Sequence, residues 1–159
     1  MDKRIGLLLL PLAACACAAG STAPETAAAP TGPGPAEIVA ARQAAFNLTA
    51  ATFGGMKPVI DSGGEVKGLG FGARGIARWA AAIPAMFPAG SDLATDRARP
   101  EIWQNKPDFD SKAAAMAASA TALADAAQAG DKAAAGTHYA ALGKTCGGCH
   151  EAYRAEAPR

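Results

Sequence analysis

Residues 144–154 read "KTCGGCHEAYR", two cysteines separated by two glycines and followed at once by a histidine. Three chemistries use such a spacing: a redox dithiol, half of a tetrahedral zinc site, and covalent attachment of a c-type haem. On a helix Cys146 and Cys149 share a face, so both sulfurs meet one edge of a flat ring. His150 is then directed toward the centre of that ring, and Gly147 and Gly148 leave room for its approach. In the haem reading the thiols form thioethers with the porphyrin vinyl groups and the imidazole reaches the iron.

The rest of the chain weighs these readings. A thioredoxin-type dithiol opens a helix after a strand in an α/β pattern, and this sequence has no strand-like alternation of useful length. A zinc site needs a second pair of ligands. The other cysteines, Cys15 and Cys17, lie near the amino terminus, and the other histidine, His138, falls on a different helical face and is read as a surface residue. Haem attachment fits best.

Glycine and proline divide the chain beyond residue 35 into four stretches of helical period. In the first, 36–57, Val39, Arg42, Phe46, Thr49, Phe53 and Met56 recur at spacings of three and four, and Pro58 is predicted to end it. The second, 66–87, places Leu69, Ile76, Trp79, Ile83 and Met86 on one face, with Gly68, Gly70, Gly72 and Gly75 weakening its start. The third, 108–129, turns Met116, Leu123 and small alanines inward and stops at Gly130. The fourth starts near Asp131, which can cap it, and carries Tyr139, Leu142, Cys146, Cys149 and Tyr153. Mostly short connections make consecutive helices antiparallel, so the predicted fold class is all-α, an antiparallel four-helix bundle. Alanine-rich helices leave narrow gaps with few large side chains, and a flat prosthetic group between them supplies the missing core.

At 159 residues the chain holds one core, and its apolar half is largely alanine with few aromatics, a composition that favours helices. Residues 1–20, a charged "MDKR" before "IGLLLLPLAACACAAG", read as a bacterial export signal too short to span a bilayer as a mature helix. Leu12-Ala13-Ala14-Cys15 is similar to a lipobox, which would lipidate Cys15 and anchor the protein to the membrane. "ACACA" equally offers sites to an ordinary signal peptidase, which would release a soluble periplasmic protein. Residues 21–35, "STAPETAAAPTGPGP", cannot bury enough surface to order and read as a flexible linker; the folded domain is then 36–159. Cleavage before Cys15 removes Asp2, Lys3 and Arg4 and leaves 13 basic and 13 acidic residues. That neutrality argues against a general nucleic-acid binder, and no nucleic-acid partner is expected.

Besides "CGGCHEAYR", the stretches "ARQAAF" at 41–46 and "ARPEIW" at 98–103 follow in order. In these three motifs, over about 36–154, the chain resembles the cytochrome c prime family, class II c-type cytochromes with haem near the carboxyl terminus. The resemblance implies one haem c bound through Cys146 and Cys149, with His150 as the proximal iron ligand. It implies that Arg154 lies beside the imidazole, although on its helix the same residue reads as a solvated charge. Arg42 sits on an apolar stripe, where burial is costly without an anion. A haem propionate is the implied partner, and snorkelling to water is the alternative. Trp103 is expected at the haem edge or, nearly as well, in the ordinary core.

Low-spin members of that family place a methionine at the position of Phe46 to fill the sixth site of the iron. Phenylalanine cannot ligate, so where Phe46 covers the distal face the resemblance implies five-coordinate, high-spin iron facing an apolar surface without a hydrogen-bond donor; the same ring also reads simply as core. Such a face disfavours dioxygen and admits nitric oxide or carbon monoxide when the ring swings aside. Met56 also bears a thioether, but it lies about 15 Å from Phe46 along the helix axis and is read as a core filler. The expected function is gas binding by an exported haem protein; electron transfer to an unidentified redox partner is the alternative. No hydrolytic or transferase constellation occurs, so an enzyme is not expected. Pairing as a homodimer through the first two helices, common in the family, is put in question by the glycines that open the second.

Overall fold

Pro35 opens the first helix, where its fixed φ and missing N–H suit the first helical position. In the computed structural model, which describes residues 32–93 and 97–156, helix α1 is Pro35–Asp61. The stripe predicted to face inward does so: Val39, Arg42 and Met56 are buried, while Phe46, Thr49 and Phe53 are half-buried. Pro58 does not end the helix as expected. It forfeits one bond, from its own nitrogen to the Gly54 carbonyl, and Gly54 is exposed, so solvent can replace that bond. In return one further turn packs Val59 and Ile60 against the core. The amides of Ser62, Gly63 and Gly64 then take the carbonyls of Pro58, Ile60 and Val59, with Gly63 in the left-handed region at φ 62°.

Helix α2 is Leu69–Ala82, shorter at both ends than the 66–87 expected. Val66 is buried in the loop before it. At the far end Pro84 has no N–H for the α ladder, and Ile83–Met86 continues as a 3-10 turn. A single turn, α3 at Glu101–Gln104, falls in what reads as loop. Helix α4 is Lys106–Ala129, with Pro107 in its first turn and Gly130 stopping it at φ 74°. Helix α5 is Lys132–Tyr153, and the Asp131 side chain accepts from the Ala134 amide at 2.9 Å, as its position predicts.

The four long helices form a closed set, α2 on α4, α4 on α5, and α1 against both α2 and α5. Small residues bring the backbones together. Ala73, Ala80, Ala120 and Ala124 are fully buried, and a Cβ added to Gly70 would sit 3.4 Å from the Ala124 carbonyl. Ile76, Ile83, Phe87, Ile102, Phe109, Leu123 and Leu142 fill the centre. Helix α1 contributes little to it, with Met56 its one fully buried apolar member of the central cluster. An isolated antiparallel bridge, Ala98 to Arg154, ties the α2–α4 connection to the end of α5. No helix among the described residues is long and apolar enough to cross a membrane. The export signal read at 1–20, with Cys15, and residues 21–31 of the linker lie outside the described residues.

Candidate functional site

Helix α5 holds the cysteine motif, although Gly136, Gly143, Gly147 and Gly148 each cost a helix about 0.5–1 kcal/mol relative to alanine. Gly143 has a packing reason. The Phe53 ring lies 3.4 Å from where its Cβ would be, and that ring stacks on Tyr139 at 4.3 Å and 9°. Gly147 and Gly148 have none within the chain, since a Cβ on either would meet nothing within 4 Å and both are exposed.

Cys146 and Cys149 are half-buried free thiols, and burial pushes the ionisation of both up, so they stay protonated at neutral pH. His150 is half-buried too. Burial, and then the charges of Arg154 and Arg97, lower its basicity, which favours the neutral imidazole that can ligate a metal. Among the described residues no three His, Cys, Asp or Glu side chains gather around a common point.

A cavity of about 310 Å³ opens beside His150, walled by Phe46, Phe87, Ile102, Arg42, Arg97 and Arg154, with Gln43, Asn47 and Ala98 completing it. Four predicted site residues, His150, Phe46, Arg42 and Arg154, therefore share one space. Among the described residues lining it, His150 alone can ligate iron; no methionine, lysine, tyrosine or cysteine is present there. Met56 is buried elsewhere, against Gly72 of α2. Phe46 meets Trp79 edge-on at 5.2 Å and Phe87 at 6.4 Å, so its ring is held by aromatic contacts.

Arg42 does not snorkel. It is 1% exposed and donates through Nη1 to the Met86 carbonyl at 3.0 Å and Ser91 Oγ at 2.8 Å, and through Nη2 to the Ser91 carbonyl at 2.6 Å. Its guanidinium also lies 4.2 Å above the Phe87 ring. Carbonyl dipoles and an aromatic face thus surround a charge for which the sequence suggested a carboxylate or water. Ser91, 1% exposed, was not expected in the site. It sits in a turn whose hub is the Pro88 carbonyl, which accepts from Ser91 Oγ, the Ser91 amide and Trp103 Nε1. The proline and glycine of "FPAGS" mark that turn, but nothing in them marks the partner on α1.

Trp103 does not line the cavity. The Pro88 carbonyl captures its indole N–H, and its ring packs on Phe87 at 6.1 Å, which puts it in the layer behind the wall. Arg154 is exposed yet lines the cavity. His138 is half-buried rather than on the surface. Trp79, read from sequence as a core residue, has a buried indole N–H with no acceptor among the described residues; buried indoles usually find one.

Two protonated thiols one turn apart, a neutral imidazole opening on a cavity and exposed glycines suit a covalently held porphyrin, although Cys146 and Cys149 themselves do not line that cavity. The cytochrome C' family profile matches residues 37–154. The chain belongs to the cytochrome c prime family. Members carry one covalently attached haem c within a four-helix bundle. Cytochrome c' of Pararhodospirillum photometricum is 43% identical over 83 residues, 52% of this chain and 66% of that one. The chain spans 58–66% of the length of the first curated relatives it matches. Cytochrome c' of Alcaligenes xylosoxydans xylosoxydans is 33% identical over 76% of this chain and 94% of its own. A nitric oxide complex of a leucine-to-alanine mutant of cytochrome c prime from Alcaligenes xylosoxidans superposes with a TM-score of 0.71 at 30% identity, covering 77% of this chain and 97% of that one.

Proposed function

We propose that the chain is an exported, periplasmic haem protein that binds nitric oxide or carbon monoxide at five-coordinate, high-spin iron. Cys146 and Cys149 anchor the porphyrin edge, and His150 is the proximal ligand. The haem, when bound, supplies the coordination site that a diatomic gas occupies. The chain's residues determine what reaches that site. The observation that carries this reading is the composition of the His150 cavity, where Phe46 offers hydrocarbon and no second ligating side chain is present among the described residues. The Phe46 ring itself offers bound dioxygen no hydrogen bond, while Gln43, Asn47 and Arg97 line other parts of the cavity. Arg154 adds its charge to the burial that lowers the basicity of the imidazole. Arg42 stands beside the cavity and is proposed to meet a haem propionate, while Trp103 supports the Phe87 wall behind it.

Electron transfer is the weaker reading. Its low-spin form needs a second axial side chain, and Met56 is packed against Gly72. Homodimer formation gains support from Leu48 and Phe71, 69% and 80% exposed beside an apolar groove of about 380 Å³ between α1 and α2. Export through residues 1–20, with or without a lipid on Cys15, remains part of the proposal. The test is addition of nitric oxide to the purified ferrous protein, followed optically. Saturable spectral change with little response to dioxygen binding is expected; a spectrum indifferent to nitric oxide would end the gas-binding reading.

A further inference from the structure

Helix α5 ends one turn after His150, and the way it ends involves a residue from elsewhere in the chain. The last four carbonyls of a helix have no partner inside it. Many helices close this end with a glycine in the left-handed region, but the residue after Tyr153 is Arg154, in an extended conformation at φ −117° and ψ 123°. Donors must therefore come from outside the helix. The Arg154 amide takes the His150 carbonyl at 3.0 Å. Arg99 takes the other three: its amide donates to Tyr153 at 3.0 Å, and its Nη1 donates to Glu151 at 3.0 Å and Ala152 at 3.3 Å. Its positive charge also stands at the negative end of the helix dipole.

The neighbours of Arg99 extend the clamp. Arg97 accepts at its carbonyl from the Ala155 amide at 2.8 Å, and its Nε donates to the Ala155 carbonyl at 2.8 Å. Arg97 and Ala98 also line the cavity beside His150. One extended strap thus walls the cavity and closes the turn that begins at the histidine.

We propose that Arg99 is a positioning residue for His150: by fixing the last turn of α5 through three carbonyls, it sets the tilt of the imidazole toward the iron. This rests on the reading of His150 as the proximal ligand. Arg99→Ala frees the Glu151 and Ala152 carbonyls, whereas Arg99→Lys keeps the charge and one donor. In the haem-loaded protein, Arg99→Ala speeds exchange of the Arg154 and Ala155 amides on the order of tenfold. It also shifts the iron–histidine stretching band in the resonance Raman spectrum of the ferrous form. Arg99→Lys recovers most of both changes.

An unshifted band in Arg99→Ala overturns the proposal, whether or not the amides exchange faster, because the clamp would then not reach the metal. Should Arg99→Ala fail to fold, Arg99→Gln, which loses the charge at the helix end, carries the same reading, and an unshifted band there is equally fatal. A band that survives His150→Ala refutes the ligand assignment itself. A band lost there but unmoved by every Arg99 variant refutes only the role of Arg99.

Discussion

Phe46 and Arg42, one helical turn apart on α1, show how differently two residues of one stripe act. Phe46 offers the cavity a ring and nothing else, so replacing it tests the open site directly. Phe46→Met should supply a thioether within reach of the iron and convert the ferrous spectrum toward sharp low-spin bands. An unchanged spectrum would mean that residue 46 does not lie over the metal. Arg42 holds α1 to the Pro88–Ser91 turn, and its removal strands the carbonyls of Met86 and Ser91. Arg42→Ala should cost about 2–4 kcal/mol in denaturant unfolding; a loss within error of zero would show those bonds to be incidental. Tyr153 gives a prediction in pH. Its buried hydroxyl donates to Asp108 at 2.6 Å, and burial, then that carboxylate, push its ionisation up to about 12. An unfolded tyrosine titrates near about 10, so the stability it contributes is intact below that value and lost as pH rises toward 12. Tyr153→Phe should flatten this limb in denaturant midpoints, and an identical slope in the variant would refute it. The proposed roles of Cys146, Cys149 and His150 are legible in the sequence because their chemistry is local, set by spacing on one helix. Ser91 was not, since its partner is 49 residues away; of the two places read for Trp103, its packing on Phe87 and its bond to the Pro88 carbonyl agree with the core one.

Helices are visible where their ends carry their own chemistry. Asp131 and Gly130 flank one boundary with a side-chain acceptor and a left-handed residue, and α4 and α5 meet there as expected. Asp131→Ala should remove about 1 kcal/mol with little change in the denaturant slope; no loss would mean that solvent caps the helix as well. Pro58 marks the failure of the same logic. A proline costs a helix one bond and a steric adjustment, and whether that ends it depends on what the next turn can bury, here Val59 and Ile60. Likewise α3 and the strap at Ala98 have no periodicity of their own. They exist through Ile102 in the core and through bonds to the far end of the chain.

Across the molecule, α2, α4 and α5 share a core of alanine, isoleucine, leucine and phenylalanine, while α1 leans on them through a few residues and encloses the cavity with them. The bundle was predictable because four amphipathic stripes with short links admit few arrangements. The looseness of α1 was not, because a stripe in sequence does not reveal how much of it finds a partner. The central claim is that the iron is gripped by His150 and faced on its other side by Phe46. The most direct measurement is the resonance Raman spectrum of the purified ferrous protein without added ligand. The account predicts the marker bands of five-coordinate, high-spin haem, and six-coordinate, low-spin bands would contradict it.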